Sequence, residues 1–219
     1  MSIKDYYGKD GEAYFKQRER YISDHVQEYR SKLFCDFVSS SDIVLDFGCG
    51  SGGVLGSLHV KRKIGIEISD YAVAKAQELL DNVFPEMTMV DTNSIDLIIS
   101  YHALEHVENP SKILREMYRV LVPEGKAKIV VPLEQPIVDR GQTHWTSNPE
   151  MHLFSWTPVT LGNLFVSIGF QVIDSYVLPN SSVTRRWYVR LLPTFIVKIL
   201  DYAKAIYTGK FHTVLVVKK

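Results

Sequence analysis

Apolar positions along this chain come in short runs whose period switches between that of a strand and that of a helix. Residues 43–47, 63–68, 95–100 and 127–131 read as strands, and 87–90 as a shorter one. The run 95–100 has the apolar character expected of a strand covered on both faces. Helical periods lie between them. Val26, Tyr29, Leu33, Phe34, Phe37 and Val38 mark a helix over 24–38. A short helix follows the glycine-rich turn at 54–58. Asp70 caps a helix running to Leu80, and Pro110 with Ser111 opens one running to Leu121. Further on, 160–168 reads as a helix closed by Gly169, and 170–177 and 211–217 as two last strands. Such β-α alternation predicts an α/β fold with a parallel sheet and helices on both faces.

The pattern organises into a single domain over 1–219. Residues 1–40 form an N-terminal helical cap with a short helix near 14–20. The core spans 41–132, an irregular loop 133–156, and an insertion between the last two strands 180–210.

Composition narrows the chemistry. Lys+Arg and Asp+Glu both number 25, so the formal net charge is zero and no electrostatic footprint for nucleic acid exists. Two cysteines, Cys35 and Cys49, make no disulfide framework and predict a reducing, cytoplasmic setting. The first residues lack an apolar leader run, and no stretch of about 18 apolar residues is present.

The densest chemical signal is Asp46-Phe47-Gly48-Cys49-Gly50-Ser51-Gly52, an acid at the end of a strand, then alternating glycines, then a helix. Glycines there allow a sharp turn and a close ligand approach near a helix N-terminus. Glu67 ends the second strand 19 residues beyond Gly48, where a carboxylate can accept hydrogen bonds from ribose hydroxyls. The glycine spacing differs from G-x-G-x-x-G, and Asp46 would repel a pyrophosphate but suit a cation. S-adenosylmethionine (SAM) carries a sulfonium and an ammonium, so the loop favours SAM over NAD.

These residues resemble class I SAM-dependent methyltransferases of the small-molecule type. The glycine loop looks like their first motif, and Gly65-Ile66-Glu67-Ile68-Ser69 like their ribose-binding motif. Asp96-Leu97-Ile98-Ile99-Ser100 with Leu104-Glu105-His106-Val107, and Arg119-Val120-Leu121-Val122-Pro123-Glu124-Gly125, resemble the segments around strands four and five. The resemblance implies a Rossmann-like, seven-stranded, mostly parallel sheet with an antiparallel last strand. It also implies roles by position. Asp46, Gly48, Cys49 and Gly50 surround the methionine part of SAM, Glu67 holds the ribose, and Ile68 packs on the adenine. Ser100 and Tyr101 line the methionine side, while Tyr14 and Arg18 close over the cofactor. Asp91, with Asn93 second, is the candidate reader of the adenine amine. Glu124 stands where the family has a glycine, a change of turn shape rather than chemistry.

Methyl transfer to a hydroxyl benefits from a base, and two histidines are candidates, His102 and His144. His102-Ala103-Leu104-Glu105-His106 also matches the H-x-x-E-H pattern of some zinc sites. No third ligand is evident in the sequence, so no metal is expected. His25, His59 and His212 read as incidental. The loop 133–156, with Trp145, His152 and Trp156, reads as the acceptor-binding segment. In the 180–210 insertion, Arg185, Arg186, Arg190, Lys198, Lys204 and Lys210 face a single acid, Asp201, among many apolar residues. This basic, apolar segment over 185–207 suits a lid, a packed helix, a dimer contact or a peripheral membrane surface. Together with the late loop it is similar to methyltransferases of bacterial surface-polysaccharide pathways, which implies a sugar or glycan-precursor acceptor. Two other readings stand beside methyl transfer: a non-catalytic SAM-binding protein and an NAD-dependent oxidoreductase.

Overall fold

The computed structural model describes residues 12, 16, 24–133, 152–180 and 193–219. Seven strands form one sheet: β1 (Ile43–Phe47), β2 (Arg62–Ile66), β3 (Asn82–Phe84), β4 (Ile95–Tyr101), β5 (Leu121–Leu133), β6 (Gln171–Pro179) and β7 (Phe211–Lys218). Their order is β3-β2-β1-β4-β5-β7-β6. The first five run parallel, and β7 enters antiparallel between β5 and β6. The helices are α1 (Asp24–Ser31), α2 (Gly53–Gly56), α3 (Asp70–Ala76), α4 (Pro110–Val120), α5 (Pro158–Ile168) and α6 (Thr194–Thr208).

Strand alternation splits the interior into two cores. Leu45, Ile98, Ala127, Ile129, Leu215 and Val217 point to one face, where Leu114 and Met117 of α4 and Leu161 and Phe165 of α5 cover them. Val44, Leu97, Ile99, Val130 and Val214 point to the other, under Phe34, Leu55 and Ala76. Both faces of the central strands are therefore buried, which is why the run at β4 is apolar rather than alternating.

Several element boundaries differ from the sequence reading. The expected strand at 87–90 is a 3-10 turn, Met87–Met89, and β3 lies earlier, at Asn82–Phe84. Three residues cannot display a period. Parallel pairing of Asn82, Val83 and Phe84 with Ile64, Gly65 and Ile66 decides the strand. The turn is tied down by the Arg119 guanidinium, which donates to the Met87 and Val90 carbonyls at 2.9 Å each. The expected helix 24–38 ends at Ser31, and Cys35–Phe37 follows as a separate turn. The helix expected to reach Leu80 stops at Ala76. Helix α5 starts two residues earlier than read, because Thr157 and Thr160 form a reciprocal cap there, and Gly169 ends it at φ 118°. Residues 122–125 bulge out where pairing with β4 jumps from Leu121 to Lys126. Glu124 takes a left-handed φ of 65° there, the conformation its glycine-like position requires. Among the described residues, no helix is long and apolar enough to cross a membrane.

Candidate active site

The glycine loop leaves β1 at the carboxyl edge of the sheet and is bolted to β2. The amides of Gly48 and Cys49 both donate to the Ile66 carbonyl, at 2.9 and 3.0 Å. Gly48, Gly50 and Gly52 all have positive φ, at 74°, 55° and 80°. At Gly48 a side chain is excluded twice over, since a Cβ would also lie 2.3 Å from the Ala103 Cβ. The loop thus packs directly on the segment after β4.

Two buried acids flank it. Asp46 and Glu67 are 3% and 6% exposed. Glu67 organises the loop in place: its Oε2 accepts from the Gly50 amide at 2.9 Å, and its Oε1 from the Ile68 and Ser69 amides at 2.8 and 2.9 Å. An ionised carboxylate offers about four acceptor sites, so a ribose diol bringing two donors shares Oε2 or displaces the Gly50 bond. Burial raises the Glu67 pKa, against the pull of those three amides. Burial and the neighbouring Glu67 charge push the Asp46 carboxyl up to about 8. The Cys49 thiol is pushed well above its usual value by burial, then by Asp46 and Glu67, so it packs as an inert apolar group, against Gly65. Ile68 is 37% exposed between buried Glu67 and Ser69, an open apolar surface beside the Glu67 carboxylate.

Other expected cofactor residues fare differently. Ser100 is fully buried, and its hydroxyl donates to the Phe47 carbonyl at 3.0 Å, tying β4 to β1 beneath the loop rather than lining it. Tyr101 lies at the strand end, its ring stacked 4.4 Å from that of His102 and approached by the Arg30 guanidinium at 4.9 Å. Asp91 is exposed in the turn before β4, where the amides of Asn93 and Ser94 bind the end of α4. That is the opposite edge of the sheet from the glycine loop. Neither Asp91 nor Asn93, whose side chain accepts from Lys219, is brought to the site. The physical cause is the earlier position of β3, which makes Pro85 and Glu86 the residues past its carboxyl end. Tyr14, Arg18 and His144 lie outside the described residues.

After β4 the chain forms a histidine cluster. His102 has a left-handed φ of 54°, uncommon for a residue with a side chain. Its Nε2 is 2.9 Å from Nδ1 of His212 on β7. His212, read as incidental from the sequence, is 2% exposed, and burial plus the Arg30 charge push its pKa down to about 4. A neutral ring therefore buttresses His102 at neutral pH. Fully buried Glu105 follows on the 3-10 turn Leu104–His106, and its carbonyl accepts from the Leu153 and Phe154 amides, which carries His152 in beside it. His212 read as incidental and His152 only as part of the acceptor-binding segment, because strand pairing and a loop return bring them to this cluster from far along the chain.

Residues 14–175 match the methyltransferase-domain family. The chain belongs to that family. The chain is 31% identical over 96 residues to the ubiquinone biosynthesis O-methyltransferase of Pseudomonas entomophila, covering 38% of this chain and 41% of that protein. Across several curated relatives, the aligned stretch covers between 31% and 49% of the relative's own length. Its fold is that of a SAM-dependent methyltransferase from Archaeoglobus fulgidus, with a TM-score of 0.65 at 16% identity over 94% of this chain and 99% of that one. A Haemonchus contortus phosphoethanolamine N-methyltransferase, solved with S-adenosylhomocysteine, matches with a TM-score of 0.60 at 15% identity, over 100% of this chain and 60% of that one. The glycine loop and Glu67 lie within the family match, as do Glu105 and His152, while His212 lies beyond it.

Proposed function

We propose that the protein binds SAM at the Asp46–Glu67 loop and transfers its methyl group to a hydroxyl of a small acceptor, a sugar or glycan precursor. The observation that carries the cofactor is the pair of buried acids flanking a three-glycine turn, a site that favours a cationic nucleoside over a pyrophosphate. Methyl transfer is an in-line displacement. The acceptor oxygen bonds to the methyl carbon as the carbon–sulfur bond breaks, and the sulfonium leaves as a neutral thioether. The chain's task is to align the two and accept a proton. Both cysteines are free thiols, which supports a reducing, cytoplasmic setting.

Titration calorimetry with SAM, S-adenosylhomocysteine and NAD tests the cofactor. Wild type should bind the first two at micromolar affinity and NAD negligibly. Glu67→Ala should weaken SAM by roughly tenfold or more, about 1.4 kcal/mol. Binding indifferent to Glu67, or preference for NAD, would overturn the assignment. Turnover separates an enzyme from a SAM-binding scaffold.

The hydroxyl reading rests on imidazole at the loop's edge. His102→Asn should lower kcat by about 100-fold or more. If His144→Asn does this instead, the base lies on the late loop.

The acceptor reading extends to a lipid surface. Phe195, Ile199, Tyr202 and Ile206 form one stripe along α6 and are 64%, 61%, 52% and 67% exposed. Lys198, Lys204 and Lys210 accompany them, which favours anionic headgroups. The protein should co-sediment with phosphatidylserine vesicles and not with phosphatidylcholine ones, and Ile199→Asp should abolish it. Recovery with neither vesicle would rule this contact out, and equal recovery with both would rule out the preference for anionic headgroups.

A further inference from the structure

Three imidazoles converge on one oxygen of the buried carboxylate that follows β4. Glu105 Oε1 lies 3.9 Å from His102 Nδ1, 3.9 Å from His106 Nε2 and 4.0 Å from His152 Nε2. Direct hydrogen bonds to that oxygen would be near 2.9 Å, so these separations leave room for something between the groups. The donor atoms of Glu105, His106 and His152 all lie within 4.8 Å of one another. We propose that these three residues bind a divalent metal ion of the zinc class beside the SAM loop.

The distances are those of a site one small adjustment from closure. Ligands held at ~2.0–2.2 Å around a tetrahedral zinc sit about 3.3–3.5 Å apart, so the donor pairs need to close by roughly 0.5 to 1.5 Å. The donor set selects the ion. Two imidazoles and a carboxylate suit Zn²⁺, Co²⁺ or Fe²⁺, whereas Mg²⁺ and Ca²⁺ prefer all-oxygen shells.

The backbone also builds the site. Glu105 and His106 share one short turn, and the Leu153 amide, donating to the Glu105 carbonyl at 2.9 Å, fixes His152 opposite.

His102 supplies an outer partner. Its Nδ1 faces Glu105 and its Nε2 meets His212, the kind of carboxylate–imidazole chain that orients metal ligands. Three protein ligands leave a fourth position, the arrangement of catalytic rather than structural zinc. The His106 and His152 side chains keep 20% and 10% of their surface exposed, a route by which water or an acceptor hydroxyl can arrive.

The position next to the loop gives the ion a use. Ala103, two residues before Glu105, is the residue that packs on Gly48. An acceptor hydroxyl held by such a metal would have its pKa lowered, which would ease transfer of its proton to the base at neutral pH. Its oxygen then bonds to the methyl carbon as the carbon–sulfur bond breaks. This use rests on the methyltransferase reading; metal binding itself does not.

The test uses the whole chain without a histidine tag, stripped with a chelator. Co²⁺ is titrated with visible absorbance as the readout, Zn²⁺ by calorimetry, and SAM is titrated in parallel. Wild type should bind one metal ion per chain at micromolar affinity or tighter, with a cobalt spectrum of low coordination number. Glu105→Gln and His152→Asn should each weaken binding by about 100-fold, while His59→Asn should not. Circular dichroism confirms that each variant is folded, and His152→Asn decides alone if Glu105→Gln is not. Absence of one-to-one binding by wild type, or binding unchanged in both ligand variants, overturns the site. Metal binding without SAM binding upholds the site and refutes the cofactor reading; SAM binding without metal binding does the reverse.

Discussion

Asp46→Asn should make the ligand-free protein more stable at pH 8 while nearly abolishing SAM binding. The Asp46 carboxyl titrates near 8 in the folded chain, against 3.8 ordinarily, because burial and Glu67 disfavour its charge. Between those values the folded state holds a proton that the unfolded state has released. Stability therefore falls as pH rises through that window, by an amount on the order of a few kcal/mol at its upper end. Asparagine has no charge to strain. Its melting temperature should exceed wild type by about 5 °C or more at pH 8, and the difference should fade toward pH 5. SAM reverses the balance, since its positive groups favour the ionised acid. Wild-type affinity should rise with pH up to about 8, with proton release on binding. Asp46→Asn should lose both the affinity and its pH dependence. Scanning calorimetry and titrations in buffers of different ionisation heat check this. A melting difference constant from pH 5 to pH 9 would refute it.

Gly48→Ala should be the most damaging single-methyl change in the loop. Its φ of 74° is left-handed, costing a side chain about 1–2 kcal/mol, and overlap with Ala103 adds about 1–3 kcal/mol. The melting temperature should drop by roughly 5–15 °C, with SAM binding lost because the loop must shift away from Glu67. Two causes can be separated. Adding Ala103→Gly removes the methyl that Cβ would strike but leaves the φ penalty. The double variant should recover about half of the lost stability. No recovery would assign the whole cost to the backbone, and full recovery to the overlap.

The parts of the site that were legible in the sequence are those whose chemistry is local. Asp46, the alternating glycines and Glu67 announce themselves because a tight turn admits few residue types and because each acid ends an apolar strand. Strands β1, β2 and β4 are readable for the same reason, being buried on both faces and continuous. His102 was legible as a residue but not in its setting, since its left-handed backbone and its contact with His212 depend on where β7 inserts.

What only the tertiary structure decided shares one physical feature: distance along the chain. Strand β3 is three residues long and exists because β2 offers it a parallel edge, so a period search settles on Met87 and Val90, whose burial comes from a turn. That error carried Asp91 into the site, although it lies at the opposite end of β4. The third ligand of the proposed metal centre, His152, meets Glu105 only when the return from β5 docks on the carbonyl of Glu105. Sequence alone determined the α/β class and the acidic glycine loop, because strand burial and turn geometry are set by neighbouring residues. The structure decided which histidines meet, because that depends on pairing and packing between segments that share no local pattern.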